Sequence, residues 1–265
     1  VDSPETQRII SFCTGYGGIE LGIKRTGLDV RTVAYVEIEA FACANLVAKI
    51  EQGQMDAAPI WTNLKTFDGR PFRNKVHGII GGYPCQPFSV AGVVHGRRKG
   101  AEDPRHLWPY IEDHISTVEP LWCFFENVEG HLSLGFDEVF ESLRNLGYRV
   151  EAGLFTAAEG GSRFKKARLF ILACSHALDV QGGWPNFDTQ GREIQAGQIG
   201  LCNRMAFRNE PQREWEEPRT VESGMGRTVD GFASRVDELR LLGNGVVPQT
   251  AELAFRTLWN KAQWG

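Results

Sequence analysis

No two of the six cysteines in this chain form a CxxC pair. They stand at 13, 43, 85, 123, 174 and 202, spacings that suit neither a zinc site nor a disulfide framework and that point to a reducing, cytoplasmic setting. No apolar run is long enough to span a bilayer, and VDSPETQRII lacks the apolar core of a signal peptide, so no membrane association is expected. An excess of basic charge is missing as well, the formal net charge being -4. That balance does not advertise a nucleic-acid binder, although net charge speaks to solubility and a local basic patch can still grip phosphates. Internal repeats and low-complexity tracts are absent. With 265 residues, 42% of them hydrophobic and 23% charged, the chain can build one large globular domain, or a main domain with a small insert.

Short apolar runs alternate with amphipathic ones. RIISFC (8–13) reads as a buried strand feeding the turn TGYGG, and GIELGIKRTG as the helix after it, stopped by Gly27. VRTVAYVEI (30–38) is β-branched and predicts a second strand, with a helix over EAFACANLVAKI behind it. VHGIIGG (76–82), PLWCFFENV (120–128) and RLFILAC (168–174) are further strand candidates, and FDEVFESLRNLG (136–147) is an amphipathic helix with a glycine stop. After Ser175 the periodicity gives way to residues rich in Gly, Gln, Asn, Arg and Trp. It resumes near Arg235, where Leu253, Phe255 and Leu258 suit a closing helix. The expected organisation is an α/β domain over 1–174 and 236–265, its sheet mostly parallel and covered on both sides, with a small irregular domain over 175–235.

GGYPCQPFSVAG (81–92) sets a lone thiol, Cys85, between two prolines. Proline fixes its own φ and pushes the residue before it toward extended geometry. A stiff, non-helical loop follows, of the kind that presents a nucleophilic sulfur at one angle. Open α/β sheets bind ligands beyond the carboxyl ends of their strands, and the glycine turn, Glu37, Cys85 and Glu126 all fall at such ends. Gly15, Gly17 and Gly18 can admit a nucleotide-like ligand against bare backbone. Glycine turns are common, however, and the strict GxGxxG spacing fails at Glu20, three residues after Gly17. Glu37 reads either as the acceptor of two ribose hydroxyls or as a solvated strand end. Glu126 follows two phenylalanines, an apolar setting that would raise a carboxyl pKa and favour a proton donor; the alternative is a surface carboxylate. Thiol and acid together suggest a thiolate attacking an electron-poor ring while the acid protonates it.

The ordered blocks SFCTGYGG, VEIEAFA, GGYPCQPFSVAG, FFENVEG, KKARLFIL and LLGNGVVPQ resemble those of the DNA (cytosine-5) methyltransferases and cover nearly the whole chain outside the insert. The resemblance implies the Rossmann-like fold of S-adenosylmethionine-dependent methyltransferases, a mixed seven-stranded sheet flanked by helices, with 175–235 as the target-recognition domain. It implies methyl transfer to carbon 5 of a flipped cytosine through a covalent Cys85 adduct, with Glu126 at ring nitrogen 3 and Arg168 holding the base. Phe12, Gly15, Gly17, Gly18, Glu37, Asn63 and Asn244 would surround S-adenosylmethionine, with no metal required. Ser89, Arg97, Arg98, Arg105 and Lys166 would meet DNA. Double-stranded DNA is the implied partner, a monomer the implied state, and a cognate restriction endonuclease an admissible companion. The chain departs from the family pattern at Ser11 and Asn63, where Asp is usual, and at Phe164 and Lys166, where Gln and Arg are usual. Rival assignments are tRNA cytosine-5 methylation on the same fold, a catalytically silent DNA-binding protein, and a nicotinamide-dependent oxidoreductase. The last is disfavoured by the glycine spacing.

Overall fold

Ile9 and Ile10, Ile79 and Ile80, and Phe124 and Phe125 are neighbours in sequence, and both members of each pair are fully buried. Successive strand residues point to opposite faces, so such pairs require cover on both sides of a sheet. The computed structural model, which describes residues 6–84, 106–133, 135–160, 167–180 and 245–264, shows that cover. Its strands are β1 (Gln7–Phe12), β2 (Val30–Val36), β3 (Ile60–Trp61), β4 (Gly78–Gly81), β5 (Trp122–Val128), β6 (Tyr148–Thr156) and β7 (Ala167–Ser175). They form one seven-stranded sheet in the order β3-β2-β1-β4-β5-β7-β6. Pairing is parallel from β3 to β5, while β7 runs antiparallel to both its neighbours. This is the mixed sheet expected.

The helices are α1 (Gly18–Arg25), α2 (Ala40–Glu51), α3 (Trp108–Val118), α4 (Phe136–Asn145), α5 (Ala177–Val180) and α6 (Pro248–Trp264). One sheet face packs Ile10, Ile79 and Phe125 against Ile111 and Ile115 of α3 and Leu143 of α4. The other packs Ile9, Ile80 and Phe124 against Ile23 of α1 and Phe255 and Leu258 of α6. The closing helix therefore covers the first strand. Its approach to α1 is close, because a Cβ on Gly22 would stand 2.5 Å from the Ala251 Cβ.

Four elements are not visible in the sequence pattern. β3 and α5, of two and four residues, are too short to carry a period. β6 is an edge strand whose residues are mostly half-buried, so apolar and polar side chains do not alternate cleanly along it. α3 begins Trp-Pro, and proline is tolerated in a first helical turn although it reads as a breaker. Cys85, Ser89, Arg97, Arg98, Arg105, Phe164, Lys166 and Asn244 lie outside the described residues, as does the expected target-recognition domain beyond Val180. No helix among the described residues is long and apolar enough to cross a membrane.

Topology now places the chemistry. From central β1 the chain moves outward to β2 and β3, then returns to β4 on the other side of β1. Such a reversal opens a crevice at the carboxyl ends of the two strands. Because β7 is antiparallel, its beginning reaches the same edge, and Arg168 pairs with Val128 there.

Candidate active site

Gly81 of β4 is in register with Phe125 of β5, so Gly82 and Glu126 come next to each other at the crevice. Glu126 is only 6% exposed, which removes the surface-carboxylate reading. Its Oε1 lies 2.7 Å from Arg168 Nε, a contact of opposite charges between groups some forty residues apart in the chain. Its Oε2 lies 3.1 Å from where a Cβ on Gly82 would stand. A side chain at 82 would press on the carboxylate; glycine lets the acid reach the root of the segment that carries Cys85. Phe125 turns into the opposite core, and the carboxylate, on the same face as the buried Phe124, meets a guanidinium.

At the end of β2 the Glu37 carboxylate is buried, not solvated. Gly15 N–H donates to Oε2 at 2.7 Å and Glu39 N–H to Oε1 at 2.8 Å. A carboxylate oxygen can accept twice, so the oriented acid keeps capacity for two hydroxyls. Glu37 N–H also donates to the Trp61 carbonyl at 2.9 Å, drawing the end of β3 alongside. Ile38 and Trp61 are 70% and 49% exposed there, apolar surfaces beside a buried acid that suit a purine and its ribose. This donor set fits the nucleoside half of S-adenosylmethionine.

Asn63 follows β3, and its Oδ1 caps the 3-10 turn Leu64–Thr66 by accepting from Lys65 N–H at 3.0 Å. Aspartate keeps that acceptor and leucine removes it. Asn63→Asp is expected to keep this cap, and Asn63→Leu to lose about 1 kcal/mol of stability with it. Urea unfolding of the two variants checks it.

The Phe12 ring is fully buried, 5.7 Å from Phe67 and 5.4 Å from His114 by ring centroids, and supports the glycine turn from beneath. The half-buried Cys13, with φ 49, stands at the strand end, and burial and the Glu37 charge push its thiol up to about 12. Gly15 and Gly17 do take left-handed backbone, with φ 57 and 86. The space beside Gly17 and Gly18 is taken by protein, however. A Cβ on Gly17 would lie 2.7 Å from Met55 Cε, and one on Gly18 would strike the Val246 carbonyl. Ser11, where Asp is usual, places its hydroxyl 2.9 Å from that of Thr14 and closes the turn internally.

Beneath the turn lies a group of polar side chains that the sequence does not single out. Lys49 Nζ donates to the Tyr16 carbonyl at 2.6 Å and stands 5.1 Å from the centroid of its ring. The Tyr16 hydroxyl donates to the Val246 carbonyl, and burial, then the charges of Glu126 and Glu20, push it up to about 12. These partners lie 33 and 230 residues away, so no local pattern announces them.

Glu20, noticed only as the residue that breaks a glycine motif, is 1% exposed. Burial raises its carboxyl from 4.5 to about 7, against the pull of a Ser11 hydrogen bond and of Lys49 and Lys24. The folded protein therefore holds this proton to higher pH than the unfolded chain does. Stability from this group is full at low pH and is lost as pH rises from 4.5 to about 7. The loss is about 3 kcal/mol. Glu20→Gln is expected to flatten this dependence and to be the more stable protein above neutrality. Urea unfolding at a series of pH values checks both.

Comparison with known proteins gives the family and the fold. The profile of the C-5 cytosine-specific DNA methylases matches residues 7–224. Type II methyltransferase M.AplI of Arthrospira platensis is 32% identical over 71% of this chain and 50% of its own length. Type II methyltransferase M.NgoMIV of Neisseria gonorrhoeae is 29% identical over 66% of this chain and 54% of its own. The chain thus spans about half the length of these curated relatives. In fold it is similar to a crystal structure of Spodoptera frugiperda DNMT2, with a TM-score of 0.53 at 23% identity, over 68% of this chain and 52% of that one. The chain belongs to the C-5 cytosine-specific DNA methylase family.

Proposed function

We propose that this protein transfers a methyl group from S-adenosylmethionine to carbon 5 of a flipped cytosine in a short duplex DNA site. The observation that carries the reading is the Glu126–Arg168 pair at the root of the proline-flanked cysteine segment, with Glu126 Oε2 facing Gly82. Cytosine carbon 5 is a poor nucleophile. The Cys85 thiolate adds to carbon 6 while nitrogen 3 receives a proton from the Glu126 carboxyl, leaving carbon 5 enamine-like. Arg168 holds the carboxyl in place and meets the base beside it. Bound S-adenosylmethionine supplies an electrophilic methyl on a sulfonium; Glu37, Asn63 and the exposed faces of Ile38 and Trp61 would hold its nucleoside. A base then takes the carbon 5 proton, its electron pair restores the 5,6 double bond as the thiolate leaves, and the nitrogen 3 proton returns to Glu126. The target atom is inaccessible within a duplex, so the base must be flipped out. Residues 175–235 would choose the site, and Ser89, Arg97, Arg98, Arg105 and Lys166 would meet the DNA backbone. A monomer acting in the cytoplasm, with or without a cognate restriction endonuclease, accords with this chemistry.

The test is bisulfite sequencing of DNA from cells expressing the protein, beside a methyl-transfer assay on duplex DNA and tRNA in parallel. Methylation confined to one short DNA motif is expected. Transfer to tRNA alone moves the substrate to RNA, and transfer to neither makes this a silent member of the family.

A further inference from the structure

Residues 85–105, which carry the thiol and three arginines, are flanked in the chain by Tyr83 and Trp108, and both side chains are buried in one aromatic box. The Tyr83 ring centroid is 5.3 Å from that of Trp108, 6.0 Å from Phe125 and 5.6 Å from His131. Phe125 precedes Glu126 on β5, and His131 lies five residues beyond it, in the 3-10 turn Glu129–Ser133. The box therefore joins the approach to Cys85, the start of α3 and the strand that carries the acid. A hydrogen bond crosses it: Tyr83 Oη lies 2.9 Å from His131 Nε2, the donor depending on the imidazole tautomer. Asn127 Nδ2 donates to the Tyr83 carbonyl at 3.2 Å, and Trp108 Nε1 donates to Ser142 Oγ at 2.9 Å, tying the box to α4.

Aromatic packing alone holds Tyr83 down but tolerates small rotations and slides of the ring. A hydrogen bond is directional, and in a buried site breaking it has a cost. The bond thus selects one placement of Tyr83 among several of similar packing. Two residues later in the chain comes Cys85, and Pro84 between them fixes its own φ. We propose that Tyr83 and His131 are a positioning pair that sets the Cys85 thiol against Glu126. This rests on the methyl-transfer reading above. Neither residue touches the reacting atoms.

Single-turnover methyl transfer tests the pair with Tyr83→Phe, His131→Leu, His131→Gln and the Tyr83→Phe/His131→Leu double variant. Small misplacement of a reacting group is expensive in rate, so Tyr83→Phe and His131→Leu should each slow transfer roughly tenfold. The double variant should be no slower than either single one, as for residues acting as a unit. His131→Gln should recover most of the rate, since its amide can meet the hydroxyl. Cofactor affinity by calorimetry should remain within about twofold of the parent, because Glu37 and Asn63 follow β2 and β3 and not β4 or β5. A merely structural role would lower cofactor affinity and melting temperature together and show no glutamine rescue. Parental rate in Tyr83→Phe, additive losses, or His131→Gln as slow as His131→Leu overturns the proposal. Should the His131 variants fail to fold, Tyr83→Phe, which removes one oxygen, decides alone. A parent protein that methylates no cytosine substrate overturns the functional reading and this role with it. An active parent with an unaffected Tyr83→Phe overturns only the pair.

Discussion

Cys85→Ser is expected to form no denaturation-resistant complex with duplex DNA carrying 5-fluorocytosine in its target site. The parent is expected to form one, and only when S-adenosylmethionine is present. Fluorine at carbon 5 cannot leave as a proton does, so after methyl transfer the adduct cannot eliminate and stays trapped. The reaction demands a thiolate. A free thiol with pKa about 8.5 is partly ionised near neutrality, whereas an alcohol is far less acidic. Methyl transfer by Cys85→Ser should fall by roughly three orders of magnitude or more, as losses of a nucleophile do. Denaturing gels of the trapped complex and a tritium-transfer assay measure the two effects. A serine variant that methylates DNA at the parental rate would sink the covalent mechanism.

Arg168→Met and Glu126→Gln are expected to separate stability from chemistry at the same pair. The two side chains are 16% and 8% exposed and 2.7 Å apart, so removing the guanidinium leaves a buried carboxylate without its counter-charge. Breaking a buried pair from one side costs about 3–5 kcal/mol, and Arg168→Met should lose about that much in urea unfolding. Glu126→Gln should lose less, since its amide oxygen still accepts, yet transfer should drop by about 10²–10⁴, the range of a positioned general acid. The double variant, with no unpaired charge, should regain much of the stability of Arg168→Met and none of the activity. If Glu126→Gln transfers methyl at the parental rate, Glu126 is not the proton donor.

Most of the central scaffold is legible along the chain because its strands are buried on both faces. A two-sided strand is apolar along its buried stretch, as at Ile9–Ile10, Ile79–Ile80, Trp122–Phe125 and Leu169–Cys174. β6 is harder to read because an edge strand that is half-exposed carries mixed side chains. The candidate site shows the same division. The proline-flanked thiol, Glu37, Glu126 and Arg168 announce themselves through residue type, order and resemblance. The resemblance implies Phe12 at the cofactor, and the burial of its ring beneath the turn follows from strand alternation against Phe67 and His114.

Local order in the sequence therefore determined which doubly covered segments become strands, which residue types stand at their ends, and the family they belong to. Tertiary structure alone decided who meets whom. The antiparallel run of β7 carries Arg168 back to Glu126, and the bare backbone of Gly82 lets that acid face the cysteine segment. Val246 closes over a glycine turn 230 residues earlier through Tyr16. Burial, which no residue carries in its own letter, turned Glu20 into a proton-holding acid. The physical reason is range. Steric preference and hydrophobic period act over a few residues, whereas desolvation and charge pairing depend on neighbours brought close only by the fold.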